Sequence, residues 1–155
     1  MKKPNPILIE YVDQLKPGSV LDLGSGDGTN VAFLDSKGFE VDWVEKNYGS
    51  TIEEKIAQTT DIKEDNIISL FTLHFLKPSD AKKTYKWMKD HTASGGVNII
   101  SHWLKNDDWK NGYYLDPEQL RETYGDWIIL NYEEKEVMTY SGSTQMAAFV
   151  VAKKP

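Results

Sequence analysis

"SVLDLGSGDGTNVAFL" (residues 19–34) decides how this chain folds. A short apolar run, Val20–Leu23, stops at three glycines that alternate with Ser25 and Asp27, and helical apolar spacing resumes at Val31 and Leu34. Strand, glycine turn and helix in that order open a parallel sheet, whose ligands sit beyond the carboxyl ends of the strands. Glycine in such a turn lets the backbone approach a ligand and take positive φ. Two carboxylates, Asp22 and Asp27, lie in the same few residues. A turn built to hold phosphate avoids that charge, so the ligand expected here is not a phosphate.

On the amino-terminal side, Ile7, Leu8, Tyr11, Val12 and Leu15 have helical spacing, ended by Pro17-Gly18. On the carboxyl-terminal side, "FEVDWVEKN" (39–47) alternates as a strand, and "STIEEKIAQ" (50–58) reads as a short helix capped by Ser50 or Thr51. The apolar run "NIISLFTL" (66–73) is a strand, and Ser79 or Asp80 caps a helix reaching about His91. "GGVNIISHWL" (95–104) is a further strand, followed by a polar, aromatic loop. Asp116-Pro117-Glu118 starts a helix that ends at Tyr124-Gly125, and two long strands, 127–140 and 144–152, close the chain as a hairpin. Alternating strands and helices predict an α/β fold: one Rossmann-like, doubly wound, mostly parallel sheet over residues 1–155, with the hairpin adding an antiparallel edge strand.

Composition narrows the function classes. The chain has 155 residues, a net charge of −6, no cysteine, five Trp, eight Tyr and five Phe. That fits a single domain with a sizeable core. Without cysteine there is no disulfide, thiolate metal site or thiol nucleophile. The acidic balance argues against a nucleic-acid partner, which needs a basic footprint. No apolar run reaches a membrane-spanning length, and Pro4-Asn5-Pro6 follows the initial basic residues where a signal peptide would be apolar. A cytoplasmic protein, monomer or homodimer, is expected. Lys2-Lys3 and Lys153-Lys154 read as solubilising ends.

Glu45 closes the second strand about 20 residues after the first glycine, where a carboxylate can accept both hydroxyls of a ribose. Dinucleotide folds space their glycines G-x-G-x-x-G; here the pattern is G-x-G-x-G at 24, 26 and 28, with Thr29 next. A cofactor with a ribose but no phosphate suits the turn better. S-adenosylmethionine (SAM) is one, and its sulfonium and ammonium are cationic. Asp22 can favour the amino-acid end by charge while Glu45 holds the ribose.

"VLDLGSGDG", "VDWVEKN", "TTDI", "NIISLFTLHFL" and "SGGVNIIS" follow one another as the motifs of class I SAM-dependent methyltransferases do, and the chain resembles that family over nearly its whole length. "VDWVEKN", "GGVNII" and "LDPEQLRETYGDWIILNYEE", with Tyr124, Gly125 and Trp127, are most similar to the tellurite-resistance methyltransferases. The resemblance implies that Asp22, Gly24, Ser25 and Gly26 contact the methionine part, with Asn30 retained behind the glycine turn. Glu45 would bind the ribose with Lys46 beside it. Asp61 and the Ile62 backbone would meet adenine, and Ser69, Leu70 and Phe71 would pass the transferable methyl. It also implies a small-molecule acceptor, such as a tellurium or selenium oxyanion or another soft nucleophile. The chain departs from the family in a short Lys46–Asp61 segment, in Thr29 where the family is basic, and in Tyr140-Ser141 near the place of a His-Arg pair. These changes remove positive charge from the expected acceptor side.

His74, His91 and His102 lack metal-ligand spacing, so no metal is expected. His91 suits a helix carboxyl end. His74 and His102 follow strands and are candidate general bases, should the acceptor be a hydroxyl or amine; packed core histidines are the other reading. Trp103, Trp109, Tyr113 and Tyr114 are candidates for an aromatic lid, or for core. Methyl transfer to a small molecule is the first expectation. A SAM-binding sensor or partner that has lost transfer is the alternative, and an NAD-dependent dehydrogenase is disfavoured by the glycine spacing.

Overall fold

Six strands form one sheet in the order β2-β1-β3-β4-β6-β5 in a computed structural model that describes residues 2–58 and 60–155. Met1 and Thr59, the first residue of the Thr-Thr-Asp-Ile stretch, lie outside the described residues. The strands are β1 (Ser19–Leu23), β2 (Glu40–Val44), β3 (Asn66–Leu70), β4 (Val97–Trp103), β5 (Ile128–Met138) and β6 (Thr144–Lys153). The first four are mutually parallel. Order reverses between β1 and β3, because β2 lies on one side of β1 and all later strands on the other. That switch leaves a crevice at the carboxyl ends of β1 and β3.

The helices are α1 (Pro6–Tyr11), α2 (Thr29–Ser36), α3 (Ile52–Ala57), α4 (Pro78–His91) and α5 (Gln119–Thr123). Strand periodicity sorts them to the two faces. Leu21 and Leu23 of β1 pack with Ile67, Ile100, Tyr85 and Met88 on one side. Val20 joins Ile68, Ile99, Leu8 and Leu34 on the other. Both faces of the central strands are therefore apolar, as parallel strands between helix layers require.

The hairpin is placed differently from the expectation. β6 inserts between β4 and β5 and runs antiparallel to both, so the antiparallel strand is interior and β5 forms the edge. Burial explains it: Ala147 to Ala152 are all buried and need a neighbour on each side, whereas β5 alternates toward solvent. Two helix starts also differ. Pro78 at the first turn begins α4 after Lys77, with no side-chain cap from Ser79 or Asp80. Glu118 adopts φ +67, so α5 begins only at Gln119. The Thr51 cap holds, its hydroxyl accepting from the Glu54 N–H at 3.2 Å.

The basic ends are not merely solubilising. Lys154 Nζ donates to the carbonyls of Lys89 at 2.6 Å and Thr92 at 2.9 Å, closing the carboxyl end of α4 where a cation meets the helix dipole. No helix among the described residues is long and apolar enough to cross a membrane.

Candidate functional site

A cavity of about 1290 Å³ opens at the switch point. Its floor is the glycine turn. Gly24, Gly26 and Gly28 have φ of +84, +58 and +83. The Gly24 and Ser25 N–H groups donate to the Val44 carbonyl at 2.8 and 3.1 Å, pinning the turn to the end of β2. Thr72, after β3, donates from its hydroxyl to the Gly24 carbonyl at 3.3 Å. The turn is thus clamped between both neighbours of β1.

Glu45 is buried at the head of the turn after β2. One carboxylate oxygen accepts the Gly26 N–H at 3.1 Å and the other the Asn47 N–H at 3.0 Å. Each oxygen keeps a free lone pair, and the residue lines the cavity. A carboxylate fixed by two backbone donors is ready to accept from vicinal hydroxyls.

Asp27 answers the charge puzzle of the sequence. Its Oδ1 accepts from the Thr29 N–H at 3.0 Å and the Thr29 hydroxyl at 2.7 Å, and its Oδ2 pairs with Lys2 at 2.8 Å. Lys2 first, and Thr29 second, hold this carboxyl well below the usual carboxylate range. The anion-binding N–H at the start of α2 is therefore already taken by a carboxylate of the chain. A pyrophosphate, which dinucleotide folds seat at that helix start, would meet the Asp27 charge and lose the Thr29 N–H as a donor.

Asp22 lies beneath the turn and is only 1% exposed; its Oδ2 has no partner among the described residues. Burial, with the Glu45 charge second, pushes its pKa up to about 7. An unpaired buried carboxylate is costly, and a cation brought near it relieves that cost.

The other proposed contacts are distributed unevenly. Gly24, Ser25, Gly26, Asn30, Glu45, Lys46, Leu70 and Phe71 line the cavity. Asn30 Oδ1 accepts the Asn5 N–H at 2.9 Å and ties the N-terminal arm to α2. Phe71 has φ +53, a strained value for a bulky residue, and is held by Trp103 and Phe149 at ring distances of 4.5 and 5.7 Å. Ser69 is buried, and its hydroxyl donates to the Leu23 carbonyl at 3.0 Å, joining β3 to β1. Asp61 and Ile62 stand apart from the cavity wall; Ile62 is 76% exposed, and its N–H donates to Thr60 Oγ1.

The two candidate bases separate. His102 is fully buried and absent from the wall. Its Nε2 lies 2.8 Å from the Tyr113 carbonyl, which can only accept, so Nε2 carries the proton and Nδ1 accepts from Tyr85 Oη at 2.6 Å. Burial pushes its pKa to about 4. With both nitrogens engaged it acts as a core linker. Tyr85→Phe should cost about 1–3 kcal/mol by orphaning Nδ1; urea unfolding of that variant checks the pairing, and an unchanged midpoint would refute it. His74 does line the cavity, with Nδ1 unpartnered among the described residues. Burial, with His102 second, lowers its pKa to about 4, so its imidazole is neutral at pH 7.

Several lining residues escaped sequence reasoning: Lys2 and Lys3, Tyr48, Thr72, Phe75 and the hairpin residues Val137–Thr139, which adjoin the Tyr140-Ser141 pair already placed on the acceptor side. Only three-dimensional folding brings the hairpin back over a turn made more than 100 positions earlier. Of the suspected aromatic lid, Trp103 and Trp109 line the cavity. Tyr113 instead binds His102 and Gln119, and Tyr114 packs behind Trp109.

Comparison with known proteins now bears on this geometry. The family model described as "Tellurite resistance protein TehB" matches residues 5–66 and 52–143. The chain belongs to the TehB family. The two TehB matches overlap over residues 52–66, which include α3. A curated TehB relative from Haemophilus influenzae, named a probable S-adenosyl-L-methionine-dependent methyltransferase, is 29% identical over 148 residues. The match takes in 82% of this chain and 52% of that protein, so the chain spans about half the relative's length. The crystal structure of TehB from that organism superposes with a TM-score of 0.83 at 22% identity, over 97% of this chain and 62% of the other. A SAM-dependent methyltransferase structure from Methanosarcina mazei matches at TM-score 0.72 and 14% identity, covering 99% of both chains. The fold is that of the SAM-dependent methyltransferases.

Proposed function

We propose that this chain binds SAM at the switch point and transfers its methyl group to a small molecule. The observation that carries the reading is the Glu45 carboxylate, fixed on the cavity wall by the Gly26 and Asn47 N–H groups. In this reading Glu45 takes the ribose hydroxyls, and Asp22 attracts the cationic amino-acid end through the glycine turn. Leu70 and Phe71 border the place of transfer. SAM supplies an already activated methyl, so the protein's task is to align the reactants and exclude water. Asp61 and Ile62 lie off the cavity wall and are given no adenine contact in this reading, and His102, with both ring nitrogens engaged, is given no proton-transfer role.

Calorimetric titration with SAM, its demethylated product S-adenosylhomocysteine (SAH) and NAD tests the reading. Micromolar binding of the first two, without NAD, is expected; no binding of either overturns it. Glu45→Ala should weaken SAH binding roughly 10–100-fold, the loss of charge-assisted hydrogen bonds worth about 1.5–3 kcal/mol. Equal affinity in that variant would remove Glu45 from the ribose site. A non-catalytic SAM sensor would bind identically but release no SAH from SAM with any acceptor.

A further inference from the structure

The sheet ends at β2, which has β1 on one side and no strand on the other. A nucleoside whose ribose sits on Glu45, with its amino-acid end over the glycine turn at β1, sends its base the opposite way, past this edge. The chain that follows Glu45 is a 3-10 turn at Lys46–Tyr48 and then α3. This segment lines the cavity, whereas Asp61 and Ile62 do not. Most of its polar groups are already engaged. Glu45 accepts from the Gly26 and Asn47 N–H groups, the Thr51 hydroxyl caps α3, and Lys46 lies over Phe75 at 5.2 Å. Two side chains remain open. Glu53 is exposed on the first turn of α3, and among the described residues its carboxylate has no hydrogen bond or ion pair. Tyr48 is 66% exposed and meets Trp43 at 5.8 Å and 80°, so most of its ring is uncovered. The segment that carries them is anchored: Ile52 is buried in the core, and Lys55 pairs with Asp42 of β2 at 3.6 Å.

We propose that Tyr48 and Glu53, and not Asp61 and Ile62, hold the adenine of the cofactor. The proposal rests on the SAM-binding reading. The Tyr48 ring covers a face of the base, an apolar contact that any base can make. Glu53 supplies the choice of base. An ionised carboxylate only accepts hydrogen bonds, and adenine presents an exocyclic amino group that donates. A base with a carbonyl oxygen at that position sets acceptor against acceptor. A site built around a donor rejects the analogue that lacks it. The physical cause is the edge position of β2: with no strand beyond it to bring Asp61 up to the ribose, α3 is the element that reaches the base.

The experiment titrates the whole chain with SAH and with S-inosylhomocysteine, which carries a carbonyl oxygen in place of the amino group. The unmodified protein should prefer SAH by at least roughly tenfold. Glu53→Gln, whose carboxamide can also donate, should cut that preference by about tenfold. Tyr48→Ala should weaken both ligands by about tenfold and leave their ratio unchanged, and Tyr48→Phe should bind as the unmodified protein does. Asp61→Asn should alter neither ligand. Thermal melts of the four variants should coincide with that of the unmodified protein, since all three positions are exposed. An unchanged preference in Glu53→Gln, full affinity in Tyr48→Ala, or a preference lost in Asp61→Asn overturns the proposal and leaves SAM binding standing. Failure of the unmodified protein to bind SAH overturns the SAM-binding reading together with this one.

Discussion

Gly24→Ala should lose about 3–5 kcal/mol of stability and more than about tenfold in SAH affinity, while Gly26→Ala loses only about 1 kcal/mol. A Cβ at position 24 would stand 2.2 Å from both Thr72 Oγ1 and Thr72 Cγ2, and 2.7 Å from Thr72 Cβ. The residue also sits at φ +84, so an alanine is strained before it clashes. The branched Thr72 cannot withdraw without breaking its hydrogen bonds to the Gly24 and Leu70 carbonyls. A shifted turn carries Ser25 and Gly26 with it, and Gly26 is one of the two donors that fix Glu45. At Gly26 a Cβ meets nothing within 4 Å, which leaves only the left-handed backbone cost. For a chain of this size the first loss lowers Tm by about 10 °C. Paired urea melts and SAH titrations of the two variants check the contrast. Equal effects at 24 and 26 would show that backbone conformation alone, and not the approach to Thr72, makes glycine necessary.

Asp22→Asn should stabilise the ligand-free protein at pH 8 by about 4 kcal/mol and change it little at pH 4. The folded pKa of Asp22 is raised from 3.8 to about 7, chiefly by burial. Between these two values the native state holds a proton that the unfolded state has released. Stability therefore falls as pH rises through this window, by about 1.4 kcal/mol per unit. Asparagine, nearly isosteric and never charged, removes the fall. The same substitution should weaken SAH binding at pH 8, because the cationic ammonium then loses the carboxylate that it relieves. Urea unfolding of both proteins from pH 4 to 8 measures the difference; a gap independent of pH would mean that Asp22 is not ionising in a desolvated site.

These two residues also mark how far the sequence could be read. The strand–glycine turn–helix unit, the alternation that follows it, the Glu45 spacing and the turn's misfit with phosphate are local properties. Each rests on residues within a few positions of one another or on a fixed strand-to-strand step. Backbone preference and side-chain period govern such features wherever the chain goes. The parallel sheet and the switch-point cavity follow from them.

Three features are not local. The apolar Ala147–Ala152 run could pair on either side, and only burial on both faces put β6 between β4 and β5. His74 and His102 look alike in sequence, each following a strand. Tyr85, 17 positions from His102, and the Tyr113 carbonyl, 11 positions away, make one a sealed core linker, while the other reaches the cavity. Asp27 reads in sequence only as an acidic residue of the glycine turn, and that its carboxylate is engaged by Thr29 and Lys2 emerges only in the fold. The sequence by itself determined the fold class and the cofactor-shaped turn, since short-range periodicity and glycine geometry specify both. Tertiary structure alone decided which polar groups face the cavity and that Phe71, Trp103 and Trp109 meet on one side of it, because burial and partner choice depend on contacts between distant segments.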